Sequence, residues 1–507
     1  MTTISSFIAF LLLFVAIGAA SMLKQQRNTT DYLIAGRNVT PWLAGLSAVA
    51  TNNSGYMFIG MIGLTYATGL SSIWLMIGWI LGDLAASLLI MKRLREATEA
   101  HDIHSFGGLL AEWHGTDFNL LRRITGLLTI LFLGAYAAAQ FTAGSKALHV
   151  LFGWDITTGA IIGAILVLIY SYSGGIRASI WTDAAQSFVM ISAMSVLMFT
   201  ATTSFDSTST ILDSLNRVQP GFMDWFPDTS LFGILLFVVG WVFAGFGVAG
   251  QPHIVVRYMA LDRPDHINRF RYWYYSWFTL FYSATIIVGL LARLLLPDTA
   301  GYDGSTFDAE LALPMISQQL LPDVMVGLVL AGLFAATMST ADSLVLSCSA
   351  SLSRDLLPER KLGYTATKIM TAVVVLVALA LSLSNNQSVF ALVLIAWGLL
   401  ASAFAPLLTL YALGHRPSEK AAITIMGAGI SAFLLWRELG LSEIAYEIMP
   451  AIVTGLSTYY LLPKWLRSQP ALISVRPSLQ ETVDIEPEQE EPDPVEGRKK
   501  LKTQLSP

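Results

Sequence analysis

The sequence predicts an all-α integral membrane protein, and three observations carry that class. Of 507 residues, 54% are hydrophobic and 13% charged, against about 25% charged in an ordinary soluble domain. Thirteen windows come close to or exceed the about 20 apolar residues that a bilayer crossing needs: 4–23, 41–68, 70–91, 124–150, 156–176, 180–204, 230–252, 272–297, 322–350, 363–384, 388–413, 420–437 and 443–463. With the N-terminus outside, the loops that then face inward, together with the C-terminal tail, hold 26 of the 30 Lys and Arg residues. That is the positive-inside bias. Only Lys146, Arg217, Arg293 and Arg437 fall on the other side. Dropping any one span scrambles the bias, so the expected topology is thirteen transmembrane helices with the C-terminus cytoplasmic.

Taken in order, span 1 lacks the basic leader and small-residue cleavage site of a signal peptide, and Lys24 and Arg27 follow it. It reads as a retained helix. Span 2 is interrupted by Ala50-Thr51-Asn52-Asn53-Ser54-Gly55. An unsatisfied backbone group in hydrocarbon costs several kcal/mol, so such a break persists only where protein buries it or it lines a cavity. Span 7 carries a second interruption, Ala244-Gly245-Phe246-Gly247-Val248-Ala249-Gly250. Span 2 enters from the inside and span 7 from the outside, which makes 41–204 and 230–413 two copies of one five-helix unit inserted with opposite topology. Paired interruptions of this kind mark a transporter with a midplane site. Simple close packing is the other use for Gly245, Gly247 and Gly250. Spans 12 and 13 complete a domain at 1–467. After it, 468–507 is expected to be a disordered acidic cytoplasmic tail, with eight acidic residues between Glu481 and Glu496 and a basic cluster at Arg498-Lys499-Lys500,.

Span 9 holds a third polar patch, Ala336-Thr337-Met338-Ser339-Thr340-Ala341-Asp342-Ser343. Ala336, Ser339 and Thr340 stand at i, i+3 and i+4 and share one face. With the unwound carbonyls of span 2 they would offer Na⁺ a set of neutral oxygens; back-bonding of Ser and Thr to their own helix is the alternative. Asp342 favours the first reading, because an intramembrane carboxylate is a functional site by default. Between spans 5 and 6, Asp183 falls in the first turn of span 6, where a carboxylate also suits the helix dipole. Other chemistry is excluded. The single Cys348 builds no intramolecular disulfide or thiolate metal site,. The seven histidines lack metal-ligand spacing,, and no nucleophile–base pair appears, so the chain is not expected to be an enzyme. Nothing points to nucleic acid or to an obligate protein partner; the expected partners are lipid, Na⁺ and a small organic solute. A sensor on the same fold would need a signalling domain after span 13, and a channel a continuous polar stripe.

The turn Gly174-Gly175 followed by Trp181-Thr182-Asp183 and Gln186 resembles the hallmark of the sodium:solute symporter family. Ala35-Gly36-Arg37, Gly250-Gln251-Pro252-His253 and Met338-Ser339-Thr340 are similar to its sodium/proline branch. The resemblance runs to about Trp465. It implies a LeuT-type five-plus-five inverted repeat in helices 2–11, with one helix before and two after, and Na⁺ as coupling ion. It also implies an ion site made by the carbonyls of Ala50 and Asn53, the carbonyl of Ala336 and the hydroxyls of Ser339 and Thr340. Asp183 matches an acidic residue on the ion's inward path, where Asp342 is placed as well, and Arg37 matches a basic residue that matters for transport. Two positions depart from the proline pattern. The aspartate expected in the break is Asn52, and two helix 7 aromatics that contact proline are Ala244 and Val248. The solute is expected among Asn52, Ser54, Gly55, Tyr136, Gln140, Phe243, Phe246 and Trp397, with packing as the competing role for each aromatic. The expected activity is Na⁺-coupled uptake of a small solute across the cell membrane by alternating access. A proline-like amino acid leads, ahead of a carboxylate, vitamin or sugar.

Overall fold

Hydrocarbon offers the backbone no hydrogen-bond partner, so a chain this apolar must satisfy its N–H and C=O groups inside helices. The computed structural model describes residues 2–296, 308–356, 362–384 and 389–467; the predicted tail at 468–507 lies outside them. Among the described residues the only β feature is an isolated bridge between Val39 and Leu261. The main helices are α1 Thr2–Ser21, α2 Pro41–Gly55, α3 Ile62–Thr68, α4 Ile73–Ala86, α5 Asn119–Phe152, α6 Ile156–Thr203 and α7 Leu231–Phe246. They continue with α8 Pro252–Ala260, α9 Ile267–Leu295, α10 Asp323–Ala350, α11 Tyr364–Ser384, α12 Val389–Ala412, α13 Glu419–Glu438 and α14 Ile448–Leu461.

Among the described residues, ten helical runs are long and apolar enough to cross a membrane. Two of them, Pro41–Ala100 and Ile156–Thr203, reach 60 and 48 residues, more than one crossing needs. Each contains a positive-φ glycine, Gly69 (φ 76°) in the first and Gly175 (φ 58°) in the second. At Gly175 a side chain is excluded twice over, since a Cβ there would stand 2.4 Å from the Tyr32 carbonyl oxygen. The chain resumes helix at once after Gly175. Asp183 therefore sits about two turns into the second half of α6, and not in a first turn as the span boundaries suggested. The dipole argument for it falls away.

The two predicted interruptions are present and narrower than the sequence suggested. α2 keeps helical geometry through Asn53, breaks at Ser54 (φ 42°, ψ −175°) and passes through a π-helical turn, Tyr56–Met61, into α3. α7 is regular through Phe246, tightens to a 3₁₀ turn at Gly247–Gly250, and extends at Gln251 before Pro252 opens α8. Proline has no N–H to give a preceding turn and is at home in the first turn of a helix. Small residues let backbones approach where lipid supplies no hydrophobic drive. A Cβ on Gly82 would stand 1.8 Å from the Val242 carbonyl oxygen and one on Gly245 2.0 Å from that of Trp79, which locks α4 against α7. α10 is buried along most of its length, packed against α1, α2, α5 and α6. Arg95, Arg177 and Arg257, assigned to loops in the charge count, are buried and paired with Glu99, Asp31 and Asp183.

Candidate functional site

The break in α2 is held open by its neighbours. A non-glycine residue at φ 42° costs on the order of 1–3 kcal/mol, so Ser54 must be over-determined by its surroundings. Its Oγ accepts from the Tyr56 N–H at 3.1 Å and from the Tyr136 hydroxyl at 3.3 Å. The freed N–H of Gly55 donates to Gln140 Oε1 at 2.9 Å. Gly55 is also sterically fixed: a Cβ there would meet Thr337 Cγ2 at 2.7 Å and Gln140 Oε1 at 3.0 Å. α5 and α10 thus clamp the break from two sides. Gln140 Nε2 is buried with no hydrogen-bond partner.

One turn earlier, α10 meets the carbonyls that precede the break. Ser339 Oγ lies 3.3 Å from the Ala50 carbonyl oxygen and Thr340 Oγ1 2.9 Å from that of Thr51. Both hydroxyls also lie 3.1 Å from the Ala336 carbonyl oxygen. Four of the five residues expected to hold the ion therefore converge, joined by the Thr51 carbonyl, which sequence reasoning missed. Asn53 bonds within its own segment: its Nδ2 donates to the Val49 carbonyl at 2.9 Å, and its carbonyl accepts from the Tyr56 N–H. The converging groups are neutral oxygens, the donor chemistry of Na⁺ sites at broken helices.

Two clusters of buried carboxylate chemistry flank the same half-helix. Ser47 and Thr51, at i and i+4, share a face. There Asp183 Oδ2 accepts from Ser47 Oγ at 2.6 Å and from Arg257 Nη2 at 3.1 Å. Asp342 Oδ1 accepts from Ser179 Oγ and Ser343 Oγ, each at 3.0 Å. Arg257 ties the group together, donating also to Ser47 Oγ at 3.2 Å, Ser179 Oγ at 2.8 Å, the His253 carbonyl at 2.6 Å, and Ser343 Oγ. Thr51 Oγ1 links this cluster to α10, 3.2 Å from Ser343 Oγ and 3.4 Å from Asp183 Oδ2. Each carboxylate keeps one buried oxygen, Asp183 Oδ1 and Asp342 Oδ2, without a hydrogen-bond partner. Arg257 escaped the sequence reading because span 7 was closed at Pro252; the apolar run Ile254-Val255-Val256 beyond it was the available signal.

The adjoining face carries Asn52, which points away from Ser54 and Gly55 toward α4 and α9. Its Nδ2 donates to Asp83 Oδ2 at 3.2 Å and to Tyr274 Oη at 2.5 Å. The hydroxyls of Tyr274 and Tyr275 donate to Asp83 Oδ2 and Oδ1, each at 2.7 Å. Asp83 was missed, although the rule that flags Asp342 flags it equally.

The remaining expected residues lie elsewhere. Trp397 Nε1 donates to the Ala244 carbonyl at 2.9 Å and its ring packs 4.9 Å from Trp79, while Gln251 Nε2 reaches the Trp397 carbonyl at 3.0 Å. Trp397 therefore staples α12 to the second break. Phe243 and Phe246 are half-buried on α7. Arg37 is anchored away from these groups, donating to Asp102 Oδ1 at 2.8 Å and to the carbonyls of Thr98 and Ile103 at 2.9 Å. That hydrogen bond holds the Asp102 carboxyl below its ordinary range.

The sequence profile of the sodium:solute symporter family matches residues 32–429. The chain is 29% identical over 451 residues to the high-affinity proline transporter PutP of Bacillus subtilis (strain 168), covering 87% of this chain and 93% of that protein. Its structure superposes on a Na⁺-coupled sialic acid symporter in a substrate-bound outward-open state with a TM-score of 0.74 at 20% identity, covering 91% and 98% of the two chains. It superposes on MhsT in complex with L-phenylalanine with a TM-score of 0.56 at 14% identity, covering 82% and 97%. The fold is the LeuT-type arrangement that the resemblance implied.

Proposed function

The chain belongs to the sodium:solute symporter family, a Na⁺-coupled membrane transporter and not an enzyme, and on that premise we propose that its ion rides between α2 and α10 while its solute is a proline-like amino acid. The observation that carries the ion assignment is the reach of Ser339 and Thr340 to the carbonyls of Ala50 and Thr51 at 3.3 and 2.9 Å. A Na⁺ entering there draws on lone pairs of both elements, with Ala336 contributing its carbonyl and Asn53 a further one after a small rotation. The hydroxyls turn their hydrogens outward. Binding then fixes α2 against α10 and, one turn on, the strained geometry at Ser54.

The solute pocket is the space governed by that break, bounded by Ser54, Gly55, Tyr136 and Gln140, with Phe243, Phe246 and Trp397 at the second break. The unpartnered Nε2 of Gln140 suits a solute carboxylate. Ion and solute favour one conformation, so each raises the other's affinity. The proline transporter of Bacillus subtilis supports an amino-acid solute. Release runs past Thr51 toward Asp183 and Asp342, whose free oxygens are acceptors for a passing cation. Alternating access moves 41–204 against 230–413, with the N-terminus outside a cell membrane and the tail at 468–507 cytoplasmic.

The test is uptake into proteoliposomes by Ser339→Ala and Thr340→Ala. Each should raise the Na⁺ concentration for half-maximal uptake at least about tenfold, roughly 1.4 kcal/mol, at unchanged protein abundance. Na⁺ activation identical to that of the parent would refute the assignment.

A further inference from the structure

We infer that Asp83, Asn52, Tyr274 and Tyr275 form a second alkali-cation site, separate from the oxygens shared by α2 and α10 and not dependent on that assignment. Asp83 has no exposed surface and, among the described residues, no cationic partner: its hydrogen bonds come from two tyrosine hydroxyls and one amide. Neutral donors satisfy lone pairs and leave the charge standing. In a membrane interior an uncompensated carboxylate is costly and is retained where it serves an ion or proton.

A second observation points to a ligand. Asn52 is 5% exposed, its Nδ2 already lies in the cluster, and its Oδ1 is buried without a hydrogen-bond partner. The four side chains carry five oxygens on α2, α4 and α9, namely Asp83 Oδ1 and Oδ2, Asn52 Oδ1 and the two tyrosyl oxygens. The four side chains hydrogen-bond one another at 2.5 to 3.2 Å, so an ion entering here replaces those mutual bonds, and no room is left for an organic head group. The hydroxyls turn their hydrogens outward and the Asn52 amide turns to present Oδ1. The cluster at Asp183 shows the other solution to the same problem, a guanidinium built into the protein. Because Asn52 stands two residues before Ser54, an ion here would pull on the same break from the α4 and α9 side. It would make the cation stoichiometry of transport greater than one.

The experiment is saturation binding of radiolabelled Na⁺ to the purified full-length protein, without added solute. Asp83→Asn should bind one Na⁺ fewer per protein than the parent, and the exchange Asn52→Asp with Asp83→Asn, which moves the carboxylate across a 3.2 Å contact, should restore that equivalent. Parental stoichiometry and affinity in Asp83→Asn would overturn the proposal, as would a parent that takes up a proton and no ion at this site. Should Asp83→Asn not fold, Asn52→Ala keeps the carboxylate and removes the amide oxygen. It is expected to weaken the same equivalent at least tenfold, and unchanged affinity there overturns the proposal equally.

Discussion

The half of α2 before the break presents two adjacent faces, about 100° apart at Thr51 and Asn52, and each meets a buried carboxylate. On one, Arg257 pairs with Asp183 and reaches Asp342 through the Ser179 and Ser343 hydroxyls, donating in all to five groups. On the other, Asp83 is met by an amide and two phenols alone. Both Asp83 oxygens accept hydrogen bonds whereas Asp183 and Asp342 each keep one without a partner, and Asp183 has a guanidinium directly on it whereas Asp83 does not. On the first face Asp183 stands in an internal ion pair, so a passing Na⁺ meets it only transiently. Asp83 on the second face has only neutral donors, and any ion that supplies the countercharge is bound and released as part of the cycle. The difference separates a buried charge that holds the fold from one that is available for work.

The sharpest way to break this contrast is to remove the internal cation. Arg257→Gln leaves two buried carboxylates unpaired, and losing one partner of such a pair costs about 3–5 kcal/mol. Folded protein should be nearly absent by fluorescence-detected size exclusion, and Arg257→Gln with Asp342→Asn should recover part of it. Normal yield of the single variant would mean that the cluster is already neutral. Next in size, Gly55→Ala places a methyl 2.7 Å from Thr337 Cγ2; overpacking costs about 1–3 kcal/mol, and solute affinity should fall more steeply than thermal stability. An intact affinity would remove the break from the solute site. On the uncompensated face the sign reverses. Asp83→Asn deletes a charge that has no partner, so in Na⁺-free buffer the melting temperature should stay level or rise; a fall of several degrees would reveal a hidden counter-charge.

The smallest effect is expected at Arg37, whose partner Asp102 is 75% exposed at its side chain. Exposed pairs contribute about 0–1 kcal/mol. Because Arg37 lowers the Asp102 pKa, the pair's contribution is present above the ordinary carboxylate range and is lost as pH falls through the lowered value. Arg37→Gln should therefore differ slightly from the parent at neutral pH, and the gap should narrow in acid to what the carbonyl bonds to Thr98 and Ile103 contribute, by thermal unfolding across pH. A larger gap in acid would contradict the pairing.

Local spacing made half of this site legible before any coordinates. Ser339 and Thr340 declare themselves by i+3 and i+4 spacing from Ala336, and the polar run in α2 by its cost in hydrocarbon. Asp183 and Asp342 stand out as carboxylates or through a motif. The contacts that decide the two faces join distant residues: Asp83 meets Tyr274 and Tyr275 across 191 and 192 positions, and no periodicity encodes that. The exact seat of the break was equally hidden. A serine at positive φ runs against local preference, and only its bonds to Tyr136 and Tyr56, with Gln140 taking the next N–H, impose it.

The most direct test of the central claim is a high-resolution structure with Na⁺ and solute bound. The account predicts ion density within coordination distance of the Ala50 and Ala336 carbonyls and the Ser339 and Thr340 hydroxyls, beside an unchanged Arg257–Asp183 pair. Ion density that displaces Arg257 from Asp183, with none between α2 and α10, would contradict it.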